Sequence, residues 1–377
     1  MVVIPEGNER IKVIGVGGGG CNAVDNMVLK GLKHVEFICA NTDVKALKRN
    51  NAHYLLQLGN NLTKGLGAGS IPEIGRNSAI EDRNKIKELL KDTDMIFIAT
   101  GMGGGTGTGA APVIAEIAKE LKILTVGVVT KPFEYEGKKR TIVAEQGILE
   151  MEKYVDSLII IPNEKLMTEL DQEISMREAF TAVDNVLFGA ISGITEVIKT
   201  PGIISVDFAD VRTVMTGKGL AMMGSGSAKG ENRARNATEM AIYSPLLDNV
   251  ALDGAKGVLV NISSAIGTLK MKEYHEIIRL AQERLSPDVD FKAGMAEIED
   301  MPEDELRVTI IATGLTNIDQ EKIIEVSLRT NEAILNNNDK NIDLNEKNFN
   351  TNNVEKLDLF NNFDKNLFSK PAFFRRK

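Results

Sequence analysis

Gly101-Met-Gly-Gly-Gly-Thr-Gly-Thr-Gly109 places six glycines in nine residues, between an apolar run at 95–99 and a helical pattern at 110–121. A strand enters this stretch and a helix leaves it. Without Cβ atoms such a loop turns tightly and brings its N–H groups close to an anion, and the following helix adds the positive end of its dipole. Thr106 and Thr108 contribute hydroxyl donors. The stretch reads as a phosphate cradle. The plainer alternative is a surface turn joining two elements of an α/β domain.

Two further loops of the same character lie upstream. An apolar segment at 11–16 runs into Gly15-Val-Gly-Gly-Gly-Gly20, followed by a helical pattern over 22–30 that stops at Gly31. Taken alone this is G-x-G-x-x-G with Asp43 about twenty residues on, the fingerprint of a dinucleotide site. Residues 35–40 read as a second strand and 54–58 as a short third. Gly65-Leu-Gly-Ala-Gly69 then leads through Pro72 into a helix reaching Lys91. Strands alternating with helices predict a mostly parallel, Rossmann-like α/β sheet, whose ligands gather at the carboxyl ends of the strands. Three loops converging there can surround a polyphosphate, whereas an NAD-type site needs chiefly the first. No G-x-x-x-x-G-K-[ST] occurs, so the usual P-loop is not the device.

Beyond the third loop, 124–130 reads as a strand, Glu136 and Arg140 sit in a polar loop after Pro132, and a helix runs to about 153. A strand at 157–161 ends at Pro162-Asn163. Apolar residues at 179, 180, 183, 187, 190, 191, 194, 197 and 198 predict a long core helix. Pro201-Gly202 ends it, and Asp207-Phe-Ala-Asp210 opens another helical pattern reaching about Met222. A second, smaller α/β domain follows, with helices at 231–244 and 272–285 and strands at 257–263, 289–298 and 306–313. The expected organisation is a flexible 1–10, a nucleotide domain 11–175, a central helix 176–200, a loop and helix 201–222, and a C-terminal domain 223–330.

From 331 to 366 thirteen asparagines and scattered charge leave too little apolar surface to fold, which predicts a disordered linker. Residues 367–377, with three phenylalanines beside four basic residues, read as a docking peptide at the end of that tether. A net charge of −8 argues against a nucleic-acid partner. Two cysteines, Cys21 and Cys39, are too few for a disulfide framework or a Cys/His metal cluster. No apolar run approaches a membrane span and no leader precedes the first strand, so a cytoplasmic protein without direct membrane insertion is expected.

Gly17-Gly-Gly-Gly20 with Asn22, Asn41-Thr-Asp43, Gly67-Ala-Gly69, Gly103 to Gly109, Ile161-Pro-Asn163, Asp207-Phe-Ala-Asp210 and the terminal Pro-Ala-Phe-Phe-Arg-Arg appear in one chain and in this order. Together they resemble the tubulin/FtsZ family of GTPases, the filament formers of bacterial cell division, over nearly the whole length. The resemblance implies a GTP/GDP site. It would be built from Gly18, Gly19, Gly20, Cys21 and Asn22, from Ala68 and Gly69, and from Gly103, Gly104, Gly105, Thr106, Gly107 and Thr108. Glu136 and Arg140 would reach sugar and phosphates, Asn163 would join the nucleotide contacts, and Phe180 and Asp184 would meet the base. A carboxylate suits guanine, whose N1–H and exocyclic amine are donors that adenine does not offer there.

The resemblance also makes Asp207 and Asp210 the catalytic carboxylates that polarise the attacking water. Read bare, Asp207 is a helix N-cap and Asp210 a first-turn charge. Fifteen helical residues beyond Asp184, at roughly 1.5 Å each, carry the chain some 20 Å away before Asp207 is reached. The pair would therefore act on a nucleotide held by a second subunit in a head-to-tail homopolymer. Mg2+ is expected with GTP, held mainly by phosphates and water, since no dedicated protein metal site is evident. Residues 367–377 would dock membrane-tethering and regulatory division proteins at midcell. Two positions depart from the pattern: Ser205 stands where Asn is usual, and Cys21 stands where Asn or Ser is frequent; it reads first as a small packing residue, the alternative being a thiol whose pKa is lowered at a helix N-terminus. The rival readings are an NAD-dependent oxidoreductase and a filament protein that binds nucleotide without hydrolysing it.

Overall fold

The computed structural model describes residues 9–167, 174–200, 202–244, 246–247, 254–283 and 285–315. The segment 1–8, the linker 331–366 and the peptide 367–377 lie outside the described residues. Six strands come first: β1 (Ile11–Val16), β2 (Glu36–Asn41), β3 (Tyr54–Gln57), β4 (Met95–Gly101), β5 (Leu124–Lys131) and β6 (Ser157–Pro162). The helices between and after them are α1 (Gly17–Leu29), α2 (Val44–Leu47), α3 (Asn60–Thr63), α4 (Pro72–Glu81), α5 (Arg83–Leu89), α6 (Thr106–Glu120), α7 (Lys138–Glu152) and α8 (Asn163–Met167). Then come α9 (Met176–Lys199), α10 (Phe208–Met215), β7 (Gly219–Lys229), α11 (Arg233–Ile242), β8 (Gly257–Ser264), α12 (Met271–Gln282), β9 (Asp290–Glu297) and β10 (Glu305–Leu315).

The ten strands of the described residues form one sheet in the order β3-β2-β1-β4-β5-β6-β7-β10-β8-β9. The first six are parallel, and β7 joins β6 in parallel through Ser157↔Gly219 to Ile159↔Ala221. Only β10 runs the other way, antiparallel to both β7 and β8, while β9 is parallel to β8. Strands β1 to β9 therefore all point in one direction, which gives the sheet a carboxyl edge and an amino edge.

Parallel strands covered on both faces read as continuous apolar runs, and β1 is buried at every residue. Alternate side chains enter different cores. Phe97 of β4 packs with Val13, Phe37, Val126 and Leu187 on one face, and Ile98 packs with Ile14, Ile38 and Ile114 on the other. A third cluster, including Ala237, Val258, Val260 and Ile310, lies between β7, β8 and β10 and their helices. The long helix α9 begins at a reciprocal cap, in which the Ser175 hydroxyl accepts from the Glu178 N–H and the Glu178 carboxylate from the Ser175 N–H. By length and composition α9 is apolar enough to cross a membrane, but half of that apolar window is buried inside the protein. Its stripe of Ala179, Val183, Leu187, Ala190, Ile191 and Ile194 is core.

Two segments differ from the sequence reading. The helix expected to reach Lys91 is broken into α4 and α5 at Asp82, whose buried carboxylate accepts from the Gly59 N–H at 2.8 Å and pairs with Lys85 at 2.6 Å. The helix expected to continue to about Met222 ends at Met215, because Gly217 and Gly219 turn the chain at φ +63° and +71° into β7. That strand lacks the usual bulky signature for a packing reason. A Cβ on Gly224 would stand 1.9 Å from the Ala241 carbonyl oxygen, and one on Gly226 2.2 Å from that of Ala237, so α11 needs glycine beneath it.

Candidate functional site

The three glycine loops meet at the carboxyl edge, the first and third directly after β1 and β4 and the second after β3 and α3, against the end of β2. They interlock through positions that admit no side chain. A Cβ on Gly17, itself at φ +73°, would stand 2.8 Å from the Gly107 nitrogen, and one on Gly20 would stand 2.2 Å from the Ala99 carbonyl oxygen. Gly105 is closed in the same way by Ile71 and by Ala68, at 2.8 and 2.9 Å. Hydroxyls complete the lock: Thr42 and Thr106 share a hydrogen bond of 2.6 Å, Thr108 accepts from the Gly103 N–H at 2.9 Å, and Thr100 donates to Val16 at 3.0 Å. The second loop is pinned to the end of β2, where the Thr42 carbonyl accepts from the Gly67 N–H at 3.2 Å. By contrast Gly18, Gly69 and Gly104, one from each loop, have no atom of the described residues within 4 Å of where a Cβ would stand. One open glycine per loop, set in a rigid packed frame at two helix N-termini, is a geometry for an anion. Gly19 is exposed beside Gly18, and Asn22 is exposed on the next turn of α1.

Cys21 points the other way. It is buried, with Sγ against the carbonyls of Gly15 and Ala40, and Cys39 beside it together with burial pushes its thiol well above the ordinary range. Cys21 is thus the small packing residue of the sequence reading; the alternative of a lowered thiol pKa does not hold, since packing into the core outweighs the dipole. Asp43 is occupied too: it caps α2 by accepting from the N–H groups of Lys45 and Ala46 at 2.8 and 3.4 Å.

Beside the loops, Glu136 and Arg140 form an ion pair at 3.0 Å, and Glu136 also accepts from the Phe133 N–H at 2.9 Å. The Arg140 stem lies over Gly103. At the carboxyl end of β6, Asn163 is 4% exposed and its Oδ1 has no hydrogen-bond partner among the described residues. A buried amide acceptor held without a donor suits the N–H edge of a base. Phe180 is half-exposed and meets Phe133 edge-on at 5.6 Å. One turn further along α9, burial raises the Asp184 carboxyl to about 6, while Lys30 opposes that rise. Lys30 donates to Asn185 at 2.6 Å and lies 4.7 Å over the Phe188 ring.

Asp207 and Asp210 are not among these groups. Asp207 caps α10, its Oδ1 accepting from the Asp210 N–H at 2.7 Å. Asp210 pairs with Lys292, near the start of β9, at 2.6 Å. The far end of α10 is fastened where Ser157, the first residue of β6, donates to the Met215 carbonyl at 2.7 Å. The pair therefore occupies the amino edge of the sheet, and the glycine loops the carboxyl edge.

Two family descriptions match this chain: the Tubulin/FtsZ family GTPase domain over residues 10–171 and the FtsZ family C-terminal domain over residues 219–316. The chain belongs to the FtsZ family. Cell division protein FtsZ of Neisseria meningitidis serogroup A is 60% identical over 306 residues, covering 81% of this chain and 78% of the relative. The protein of the same name from Neisseria gonorrhoeae is 55% identical over 344 residues, covering 86% and 88%. Among solved structures, an empty FtsZ dimer of M. jannaschii superposes with a TM-score of 0.77 at 41% identity, covering 81% of this chain and 88% of that one. CetZ1 of Haloferax volcanii, at 20% identity and a TM-score of 0.74, shares the fold.

In this FtsZ-family chain the sequence reading missed two groups. Thr42 lay inside a quoted motif, but its bond to Thr106 depends on β2 and β4 flanking β1. Lys292 carried no local signal, because only the sheet order brings β9 to α10. Ser205, where the family usually has Asn, is exposed just ahead of the Asp207 cap.

Proposed function

We propose that this GTP-binding, polymerising cell-division protein holds GTP at the carboxyl edge of one subunit and hydrolyses it with Asp207 and Asp210 from the amino edge of the next. The observation that carries this reading is the separation of the two half-sites across the sheet. Between Asp184 and the end of α9 alone lie fifteen residues, about 22 Å of unbroken helix. No rotamer spans that distance, whereas a head-to-tail contact abolishes it and, being heterologous, propagates as a filament. Each edge also carries an exposed apolar residue suited to such a contact: Leu66 within the second glycine loop is 82% exposed, and Ile203 ahead of Asp207 is 84% exposed.

In the assembled site the open glycines and the N-termini of α1 and α6 receive the phosphates, and Glu136 and Arg140 reach the sugar side. Phe180 covers the base, and Asp184 and Asn163 accept from guanine's donors. Mg2+ would be held by the phosphates and water rather than by a protein carboxylate cage, and would supply neutralisation of phosphate charge. Asp207 and Asp210 orient and polarise the attacking water. Residues 367–377, basic and aromatic, dock the partner proteins that hold the filament at the division site.

Phosphate release from GTP tests this reading. Turnover per subunit rises steeply with protein concentration, and Asp210→Ala lowers it at least a hundredfold, the scale on which loss of a group acting on the transition state is felt, while GTP binding is kept. A rate per subunit unchanged on dilution places the chemistry within one subunit. A wild type that binds GTP and releases no phosphate makes the chain a non-hydrolysing filament protein.

A further inference from the structure

At the amino edge, charges of both signs are interleaved. Lys292 Nζ lies 2.6 Å from Asp210 Oδ1, and next to it Lys218 pairs with Asp290, the first residue of β9, at 3.0 Å. Asp210, and more weakly Asp207 and Asp290, push the Lys292 ammonium above its ordinary range. Arg212 lies over the Phe208 ring at 5.2 Å on the same short helix. The Lys292 and Asp210 side chains are 38% and 34% exposed, so their pairing contributes little to folding stability. Its effect belongs to the contact that covers it. Two carboxylates pressed against a nucleoside triphosphate repel it, and more strongly once the contact has excluded water. Asp207 is anchored by its own helix, but Asp210 is anchored from a different element, β9. The cation that anchors it is delivered to the place where the terminal phosphate would arrive.

We propose that Lys292 is a positioning residue of the trans-acting site: it fixes Asp210 and lowers the repulsion between the paired carboxylates and the neighbouring subunit's terminal phosphates. This inference rests on the reading of Asp207 and Asp210 as trans-acting groups. It predicts that a second copy of this chain presents its nucleotide to a locally neutral surface. The usual alternative in phosphoryl chemistry, a lysine on the same subunit as the phosphates, is not required.

The test uses the full chain with Lys292→Gln, which keeps an aliphatic stem, Lys292→Arg, which keeps the charge, and Asp210→Ala. At protein concentrations that saturate assembly, Lys292→Gln lowers GTP turnover per subunit on the order of tenfold, and Lys292→Arg restores most of it. GTP affinity of unassembled subunits and the unfolding midpoint stay at wild-type values, because the nucleotide loops lie at the other edge. If Lys292→Gln keeps wild-type turnover at saturation and changes only the concentration needed for assembly or the unfolding midpoint, Lys292 has an interface or structural role and the proposal is overturned. If Lys292→Arg is no better than Lys292→Gln, charge is not what Lys292 supplies, and the proposal is likewise overturned. Asp210→Ala separates the layers. Turnover retained in that variant overturns the trans-acting reading itself, whereas turnover lost there but kept in Lys292→Gln removes only the role given to Lys292.

Discussion

At Asp184, two effects of opposite sign meet: burial raises the carboxyl to about 6, and the nearby Lys30 ammonium pulls it down. A carboxyl whose folded value lies above its ordinary one prefers its proton in the empty protein. In the absence of nucleotide the ionised form therefore costs stability, a cost fully present above about pH 6 that shrinks as pH falls below this value and is gone near the ordinary value of 3.8. Guanine reverses the preference, since its N1–H and amine donate to the anion and have nothing to donate to a protonated oxygen. GTP affinity is accordingly expected to weaken several-fold between pH 7.5 and pH 5.5, with proton uptake on release that is negligible at pH 7.5 and approaches one proton toward the acid end. Asp184→Asn is expected to bind more weakly throughout and to lose that slope. Titration of a fluorescent guanine nucleotide across this range checks both, and an unchanged slope in Asp184→Asn assigns the titration to another group.

The glycine loops, as elements, divide into positions that build the frame and positions that face the ligand, and substitution separates the two. Gly20→Ala forces a methyl to within 2.2 Å of the Ala99 carbonyl oxygen, a backbone atom of β4 that cannot yield, and overpacking of this kind costs about 1–3 kcal/mol. Gly18→Ala meets nothing within 4 Å and adds helix propensity, so its unfolding midpoint in urea should equal or exceed wild type while GTP binding weakens. Equal loss of stability in the two variants contradicts the division. The loops and the strands that feed them were legible from the chain, because β1, β2, β4 and β5 are almost wholly buried and read as largely apolar runs, β1 and β4 leading directly into glycine. Strand β7 was not legible. Gly224 and Gly226 are small for the sake of α11, an element downstream, and a window of sequence does not contain that reason.

Across the whole molecule, the decisive property is that nine strands share one direction, so a ligand gathered at their carboxyl ends is as far as the sheet allows from anything attached to their amino ends. Helix counting from Asp184 to Asp207 anticipated this distance from sequence alone. The pairing of Asp210 with Lys292 could not be anticipated, because it requires β9 to close the sheet beyond β8 and β10. Polarity of this kind makes one subunit incomplete in a defined way, and that permits complementation. Gly104→Asp sets a carboxylate in open space among the third loop's phosphate donors, which repels nucleotide without a steric clash. Such a subunit keeps its amino edge, while Asp210→Ala keeps its nucleotide half. Each alone should release almost no phosphate. In an equal mixture that assembles at random, about one interface in four joins an intact nucleotide half to an intact carboxylate half, so turnover should rise toward a quarter of wild type. A mixture no more active than the sum of its components would mean that both halves serve the same subunit, and head-to-tail hydrolysis would have to be abandoned.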